Sequence, residues 1–301
     1  MNSISTFLKT IRIHQWTKNT LIFLPLLLSH RFLEIDLLFI AILSFLAMCF
    51  AASSTYIIND LTDLASDRLH SVKKHRPIAN NAVRSGVALV WSGILFFLSI
   101  LIASFVSLTL LKFIIIYLFV TLAYTYWLKK VVILDVLILA FLYTLRILIG
   151  SRVLHIPFSE WLFSFSIFLF CSLGFLKRYN EMFNRTKNPE EVSNIIPGRG
   201  YLMNDLAIIQ LFGITTGVAS ILIFVLYINS DQVKLLYKVN YWLWLVAPIF
   251  LYWLARMWLI ASRGKMIEDP VVFSIKDKNG YFVFILIAFC MIMAKIGFIP
   301  L

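Results

Sequence analysis

The sequence predicts an all-α integral membrane protein, and three observations predict it. Long apolar runs recur along the whole chain, and 61% of its 301 residues are hydrophobic. Mean hydropathy is +0.89. Only 14% of residues are charged, against about 25% in soluble domains. Most of the runs approach the ~20 apolar residues that a helix needs to cross a bilayer.

Nine runs read as helices: 19–30, 36–58, 84–106, 110–128, 132–152, 159–177, 206–228, 241–262 and 280–299. The first holds only about ten strongly apolar residues and must borrow from Ile11–Thr20 to span. Nine alternating spans put three long loops, 59–83, 178–205 and 263–279, on one side with the N-terminus and the Lys129-Lys130 turn. That side carries nineteen Lys and Arg residues; the other loops carry four, Arg31, Arg152, Lys234 and Lys238. The positive-inside rule assigns the rich side to the cytoplasm. The net charge of +12 therefore reads as topology and as capacity for anionic phosphates, not as nucleic-acid binding. Met1–Asn19 lacks a compact apolar core followed by a small-residue cleavage site, so no cleaved signal is expected. Cys49, Cys171 and Cys290 each lie inside an apolar run, which implies no disulfide framework. With no evident repeat, linker or soluble appendage, residues 1–301 are expected to form a single transmembrane domain. That argues against a receptor with a separate sensing domain.

The chemistry concentrates where the second run ends, in Asn59-Asp60-Leu61-Thr62-Asp63-Leu64-Ala65-Ser66-Asp67. Asp60, Asp63 and Asp67 stand at i, i+3 and i+7, and Asn59 and Asp63 at i and i+4, offsets that share one face of a helix. Carboxylates crowded in this way repel unless a cation sits among them. Oxygen-only donors suit a hard cation, and Mg²⁺ usually arrives with substrate phosphates rather than in an all-protein cage. A solvated helix end would also carry acids. Here, three of the fifteen acidic residues fall together at the edge of a hydrophobic span, where ionisable groups are usually functional. Lys73, Lys74 and Arg76 follow closely. A positive-inside loop would supply such bases too, but beside the carboxylates they can hold a diphosphate from its other side.

Other charges lie at membrane depth. Arg146 sits inside the fifth run with Asp135 about three turns earlier on the same face. They are too far apart to pair directly, so both are expected to face a wet cavity. Arg256 also lies in an apolar run, and Lys295 is placed to snorkel. The histidines, His14, His30, His70, His75 and His155, show no zinc-ligand spacing. No nucleophile elbow, Walker loop or dinucleotide-binding glycine pattern is present.

The Asn59-Asp60-x-x-Asp63-x-x-x-Asp67 motif, followed by a Lys-rich turn and Arg76-Pro77-Ile78-Ala79, resembles the UbiA superfamily of intramembrane prenyltransferases. The resemblance implies a ring of nine transmembrane helices around a central cavity. It also implies that this first aspartate-rich motif holds Mg²⁺ and a substrate diphosphate. Most of the superfamily carries a second such motif between helices six and seven. The equivalent stretch here, Gly174-Phe175-Leu176-Lys177-Arg178-Tyr179-Asn180-Glu181-Met182, has one acid and two bases, which suits direct binding of a phosphate. Further stretches extend the likeness: Arg12-Ile13-His14-Gln15-Trp16-Thr17-Lys18-Asn19, Tyr124 to Asp135, Tyr143 to Gly150, Gly198-Arg199-Gly200-Tyr201, and Arg256-Met257-Trp258 with Arg263-Gly264 to Asp269-Pro270-Val271-Val272-Phe273. Together they resemble the polyprenyl-phosphate phosphoribosyltransferase branch, which makes decaprenyl-phosphate phosphoribose, over residues 12–278.

That branch implies transfer of 5-phosphoribose from phosphoribosyl diphosphate to a polyprenyl phosphate, giving a lipid-linked pentose for cell-envelope glycan synthesis. Asn59, Asp60, Asp63 and Asp67 would hold Mg²⁺. Asp60, Asp63, Lys73 and Arg76 would be catalytic, with Lys74 beside them on the leaving group. Lys177 and Arg178 would place the lipid phosphate or the sugar 5-phosphate. Tyr124, Lys129 and Arg146 are further candidates for the second anion, and Gln15, Lys18 and Glu181 complete the substrate-binding set. The implied location is a bacterial cytoplasmic membrane with the site facing the cytoplasm; a homo-oligomer is compatible with this. Two alternatives remain open. One is prenyl transfer from a polyprenyl diphosphate to an aromatic acceptor of the 4-hydroxybenzoate type, which the lack of a second aspartate motif disfavours. The other is a membrane transporter using the carboxylates as ion ligands, which the lack of inverted repeats disfavours.

Overall fold

Inside a bilayer every backbone N–H and C=O must find its partner within the protein, and a helix does this locally. The computed structural model describes residues 3–69, 73–186, 199–266 and 269–297. In chain order its helices are α1 (Ser3–Thr10), α2 (Leu24–Leu28), α3 (Ile35–Thr62), α4 (Leu64–Leu69), α5 (Ser85–Val106), α6 (Leu108–Tyr126) and α7 (Leu134–Val153). There follow α8 (Glu160–Thr186), α9 (Leu206–Ile228), α10 (Asp231–Leu236), α11 (Tyr241–Ser262), α12 (Pro270–Lys276) and α13 (Lys278–Ile296). Among the described residues eight helices, α3, α5 to α9, α11 and α13, are long and apolar enough to cross a membrane. Large apolar side chains such as Phe97, Phe119 and Phe282 stand exposed on them, as lipid-facing positions should. His70 and Gly198 lie outside the described residues.

The first predicted run differs from its expectation. It forms a 3-10 helix over Ile13–Phe23 that passes directly into α2. The Thr17 and Thr20 hydroxyls donate to carbonyls three residues back, at 3.1 and 2.7 Å. Pro25 has no N–H to continue an α-helical ladder, and it sits instead in the first turn of α2, where none is needed. A 3-10 helix rises about 2.0 Å per residue against about 1.5 Å for an α-helix. Residues 13–28 thus extend roughly 30 Å, close to a hydrocarbon core, although they are too few to do so as an α-helix.

Two boundaries also move. α3 runs on to Thr62 and carries Asn59 and Asp60 in its last turn. α8 runs on to Thr186 rather than stopping at 177. The apolar run ends there, but Leu176, Tyr179 and Met182 keep one buried face at helical spacing. Lys177, Arg178 and Glu181 are therefore helical residues, not loop residues.

The chain forms two compact units, Met1–Trp127 with Leu145–Phe158, and Leu128–Thr144 with Ser159–Leu301. In the first, α3 packs on α5, α6 and the 3-10 helix. Small and hydroxyl residues permit close approach. Ser99 Oγ donates to the Ala47 carbonyl at 2.8 Å, the Ser54 and Ser92 hydroxyls lie 3.0 Å apart, and Trp16 Nε1 donates to Ser53 Oγ at 2.9 Å. A Cβ at Gly150 would fall 2.1 Å from the Ile22 carbonyl oxygen. In the second, α8 packs on α9, and α11 on α9 and α13. Ser172 Oγ donates to the Gly213 carbonyl at 2.6 Å and accepts from Trp258 Nε1 at 3.3 Å.

Gly150→Ala should lower stability by about 1–3 kcal/mol, the usual cost of overpacking. Cys49, Cys171 and Cys290 are all buried, so a thiol-reactive dye reports thermal unfolding in detergent. An unchanged midpoint would show that the 3-10 helix yields to the added methyl.

Candidate functional site

In the first unit the acidic motif lies across a helix break. α3 ends at Thr62, Asp63 is its C-cap, and α4 starts at Leu64. The backbone ladder persists through the break: the Asp63 N–H donates to Asn59 and the Asp67 N–H to Asp63, both at 2.9 Å. Asp60 and Asp67 are nearly inaccessible, at 5% and 2% exposure. Buried charges must be paired, and both carboxylates receive Arg76: its Nη1 lies 2.5 Å from Asp67 Oδ2 and 3.1 Å from Asp60 Oδ1. Arg12 also donates to Asp60 Oδ1. Its backbone is left-handed, with φ 54, and its guanidinium lies 5.4 Å from the centre of the Tyr56 ring. Asp63 accepts from Asn59 Nδ2 at 3.2 Å.

The loop that supplies Arg76 is anchored on both sides. Ile78 and Ala79 are buried. Arg68 donates from Nε to the Ala79 carbonyl at 3.2 Å and from Nη2 to Asn81 Oδ1 at 2.7 Å. Lys73 and Lys74 stand exposed on the 3-10 turn Lys73–His75.

Asp60 and Asp67 share the Arg76 guanidinium, whereas Asp63 accepts from Asn59. Among the described residues no three His, Cys, Asp or Glu side chains converge as a metal cluster. Two carboxylates do converge, and the point they share is held by the cationic Arg76 nitrogen. A pair of oxygen donors aimed at one positive centre fits Mg²⁺, which takes one or two carboxylates and completes its shell from substrate phosphates and water.

Deeper in the same unit, Arg146 is buried. Its Nε donates to Asn19 Oδ1 at 2.7 Å, and Asn19 donates to Cys49 Sγ at 3.2 Å. The Arg146 guanidinium lies 5.3 Å from the centre of the Tyr117 ring, a favourable cation–π arrangement. Lys18 is buried, while Gln15 and Tyr124 are half-buried.

The second unit contains a separate network. Arg178, at 1% exposure, donates through Nε to Asp135 Oδ2 at 2.5 Å and through Nη1 to Glu181. Asp135 is 0% exposed, so it does not face a wet cavity as its shared face with Arg146 suggests. Its other oxygen accepts from the Tyr201 hydroxyl at 2.5 Å, and that hydroxyl accepts from the Ile133 N–H at 2.9 Å. Burial, and then the adjacent Asp135 carboxylate, push the Tyr201 phenol above its ordinary range. Arg199 Nη1 lies 3.8 Å from Asp135 and donates to the Lys129 carbonyl at 3.5 Å. Lys177, more open to solvent, bridges to Asp269 at 3.0 Å. Asp269 in turn caps α12, accepting from the Val271 N–H at 3.1 Å.

Arg12, Tyr201 and Asp269 were not candidates from the sequence. Each meets its partner 48, 66 or 92 residues away, so no local spacing announces the pair.

Truncating one side of a buried ion pair usually costs about 3–5 kcal/mol, because the other charge is stranded, while replacing both with apolar residues is often tolerated. Arg178→Leu should therefore strongly lower the unfolding midpoint, and Arg178→Leu with Asp135→Leu should recover much of it. Additive losses in the double variant would refute the pairing.

A family model described as the UbiA prenyltransferase family matches residues 21–273. The protein y4nM of Sinorhizobium fredii is 39% identical over 298 residues, covering 97% of this chain and 56% of y4nM. The decaprenyl-phosphate phosphoribosyltransferase of Mycolicibacterium smegmatis is 34% identical over 187 residues, covering 60% of this chain and 58% of that protein. The chain thus spans less than two thirds of either relative. Among solved structures, a UbiA homolog from Archaeoglobus fulgidus bound to GPP and Mg²⁺ superposes with a TM-score of 0.67. It covers 96% of this chain and 98% of its own at 13% identity, a likeness of fold.

Proposed function

The chain belongs to the UbiA prenyltransferase family, and from that premise we propose that it transfers 5-phosphoribose from phosphoribosyl diphosphate to a polyprenyl phosphate. The observation that carries this reading is the pair of charge clusters. The aspartate-rich motif is intact, whereas the stretch where the family usually has a second one reads Lys177-Arg178 with Glu181. The 34% identity to a decaprenyl-phosphate phosphoribosyltransferase supports the same choice of donor and acceptor.

In this reading a lipid-phosphate oxygen attacks the anomeric carbon of the ribose. The bond from that carbon to the diphosphate oxygen breaks, and diphosphate leaves with the electron pair. The second pKa of a phosphomonoester lies near ~6, so the nucleophile is already ionised at neutral pH and no general base is required. The work left to the protein is to bring two anions together and to stabilise the leaving group. Asp60 and Asp67, with Asn59 and Asp63 beside them, would hold Mg²⁺, which would supply positive charge to the leaving diphosphate. Lys73, Lys74 and Arg76 neutralise its remaining oxygens. Lys177 is the more accessible cation for the second anion, and Arg178 keeps that stretch of α8 in place through Asp135. Gln15, Lys18, Tyr124, Lys129 and Arg146 complete the substrate-binding set. The cytoplasmic side, assigned by charge asymmetry, is where soluble phosphorylated sugars are available. The product is a lipid-linked pentose suited to cell-envelope glycan synthesis.

The test is direct. Purified protein in detergent with Mg²⁺, a polyprenyl phosphate and labelled phosphoribosyl diphosphate should move label into the organic phase, and EDTA should abolish the transfer. Label moving instead from a prenyl diphosphate to an aromatic acid would replace the proposed reaction. Asp60→Ala and Asp63→Ala should each lower turnover by roughly 100-fold or more, the scale of losing a transition-state charge contact. Lys177→Ala should raise the apparent KM for one substrate; normal affinity for both would remove it from the site.

A further inference from the structure

α11 ends in a Schellman motif. Gly264, at φ 66, donates from its N–H to the Ala261 carbonyl at 2.8 Å, and the Lys265 N–H reaches back to Ile260 at 3.1 Å. The next residue, Met266, is fully buried. Arg263 and Lys265 therefore leave the helix on a fixed backbone, with both side chains exposed.

They border an open groove of about 770 Å³, lined also by Tyr252, Arg256, Leu259 and Phe273. Its volume is within the usual range for ligand sites, roughly 300–1,000 Å³. Arg256 is neutralised inside the protein: its two terminal nitrogens pair with the Asp277 carboxylate. Arg263 and Lys265 have no ion-pair partner among the described residues, so they give the groove its positive end. Tyr252, Arg256, Leu259 and Arg263 stand at i, i+4, i+7 and i+11, one face of the helix. Along that face the groove passes from exposed apolar side chains, Tyr252 and Leu259, to exposed cations. From Tyr252 to Arg263 is about 16 Å at helical rise, half of the ~30 Å hydrocarbon core.

We infer that this groove is a binding site for an anionic phospholipid of the leaflet where α11 ends. The lipid phosphate sits on Arg263 and Lys265, and one acyl chain lies along Leu259 and Tyr252. The apolar stripe beside the cations, about 10 Å from Tyr252 to Leu259 at helical rise, argues for a lipid over a soluble anion, which would use the cations alone. Basic pockets between helices at the membrane surface hold anionic headgroups by the same electrostatics. The inference is independent of the transfer reaction, since it uses none of the residues assigned to it.

Native mass spectrometry of the full chain, titrated with phosphatidylglycerol or phosphatidylcholine, tests this. The first phosphatidylglycerol should bind at least tenfold more tightly than phosphatidylcholine, and the double variant Arg263→Ala, Lys265→Ala should reduce it to the phosphatidylcholine level. Equal retention of the two lipids, or unchanged retention by the variant, would overturn the inference. So would displacement by excess inorganic phosphate, which indicates a soluble-anion site, or by equimolar polyprenyl phosphate, which indicates a substrate site. Should the variant fold poorly, a photoreactive phosphatidylglycerol on the unmodified chain should label residues 252–265, and labelling elsewhere alone would refute the site.

Discussion

The first unit turns on an electrostatic constraint. Asp60 and Asp67 are almost wholly removed from solvent, and a carboxylate in that position stays ionised only beside a cation. Arg76, nine residues beyond Asp67, serves both, and Arg12 serves Asp60 from 48 residues away on the N-terminal side. The buried Ile78 and Ala79 and the two Arg68 bonds hold the loop that delivers Arg76. Removing either arginine would strand charge rather than simply delete a contact. The second unit applies the same principle to Asp135, which is enclosed by Arg178, Tyr201 and Arg199. In each unit a buried carboxylate fixes where a distant stretch of chain must lie.

Such clusters can stabilise and still bind. A carboxylate pair that shares a guanidinium is organised to receive positive charge without first moving its own backbone. This matters most for a reaction between two anions, in which rate depends on preorganised charge and little on proton transfer. The paucity of candidate bases in the sequence agrees with the proposed transfer, in which the nucleophile is ionised before it arrives.

Much of the architecture was legible in the sequence because hydropathy and the bilayer ask the same question. Eight of the nine apolar runs became helices of spanning length, several with ends within two or three residues of the expected ones. The exceptions have local causes. Pro25 and the threonine hydroxyls favour the tighter winding of Ile13–Phe23. α8 continues beyond its apolar run because Leu176, Tyr179 and Met182 preserve a buried face that average hydropathy does not register. The acidic motif was visible from its spacing, and Asp60 and Asp67 do meet at one guanidinium. Arg12, Tyr201 and Asp269 stayed hidden because long-range pairing leaves no periodic trace.

Among the described residues, Ser107 makes the closest connection between two helices of spanning length. Its N–H closes α5 on the Ala103 carbonyl, and its side chain accepts from the Leu110 N–H to open α6. With one residue serving as the end of one span and the start of the next, no slack remains to absorb a change in chain length. A single inserted residue would turn α6 by about 100° about its axis. The face formed by Leu110, Ile114, Tyr117, Thr121 and Thr125, now buried, would rotate toward lipid. The two helices are thus phased to each other as rigidly as the teeth of a gear, and natural variation in length should be found at the looser joints and not at this one.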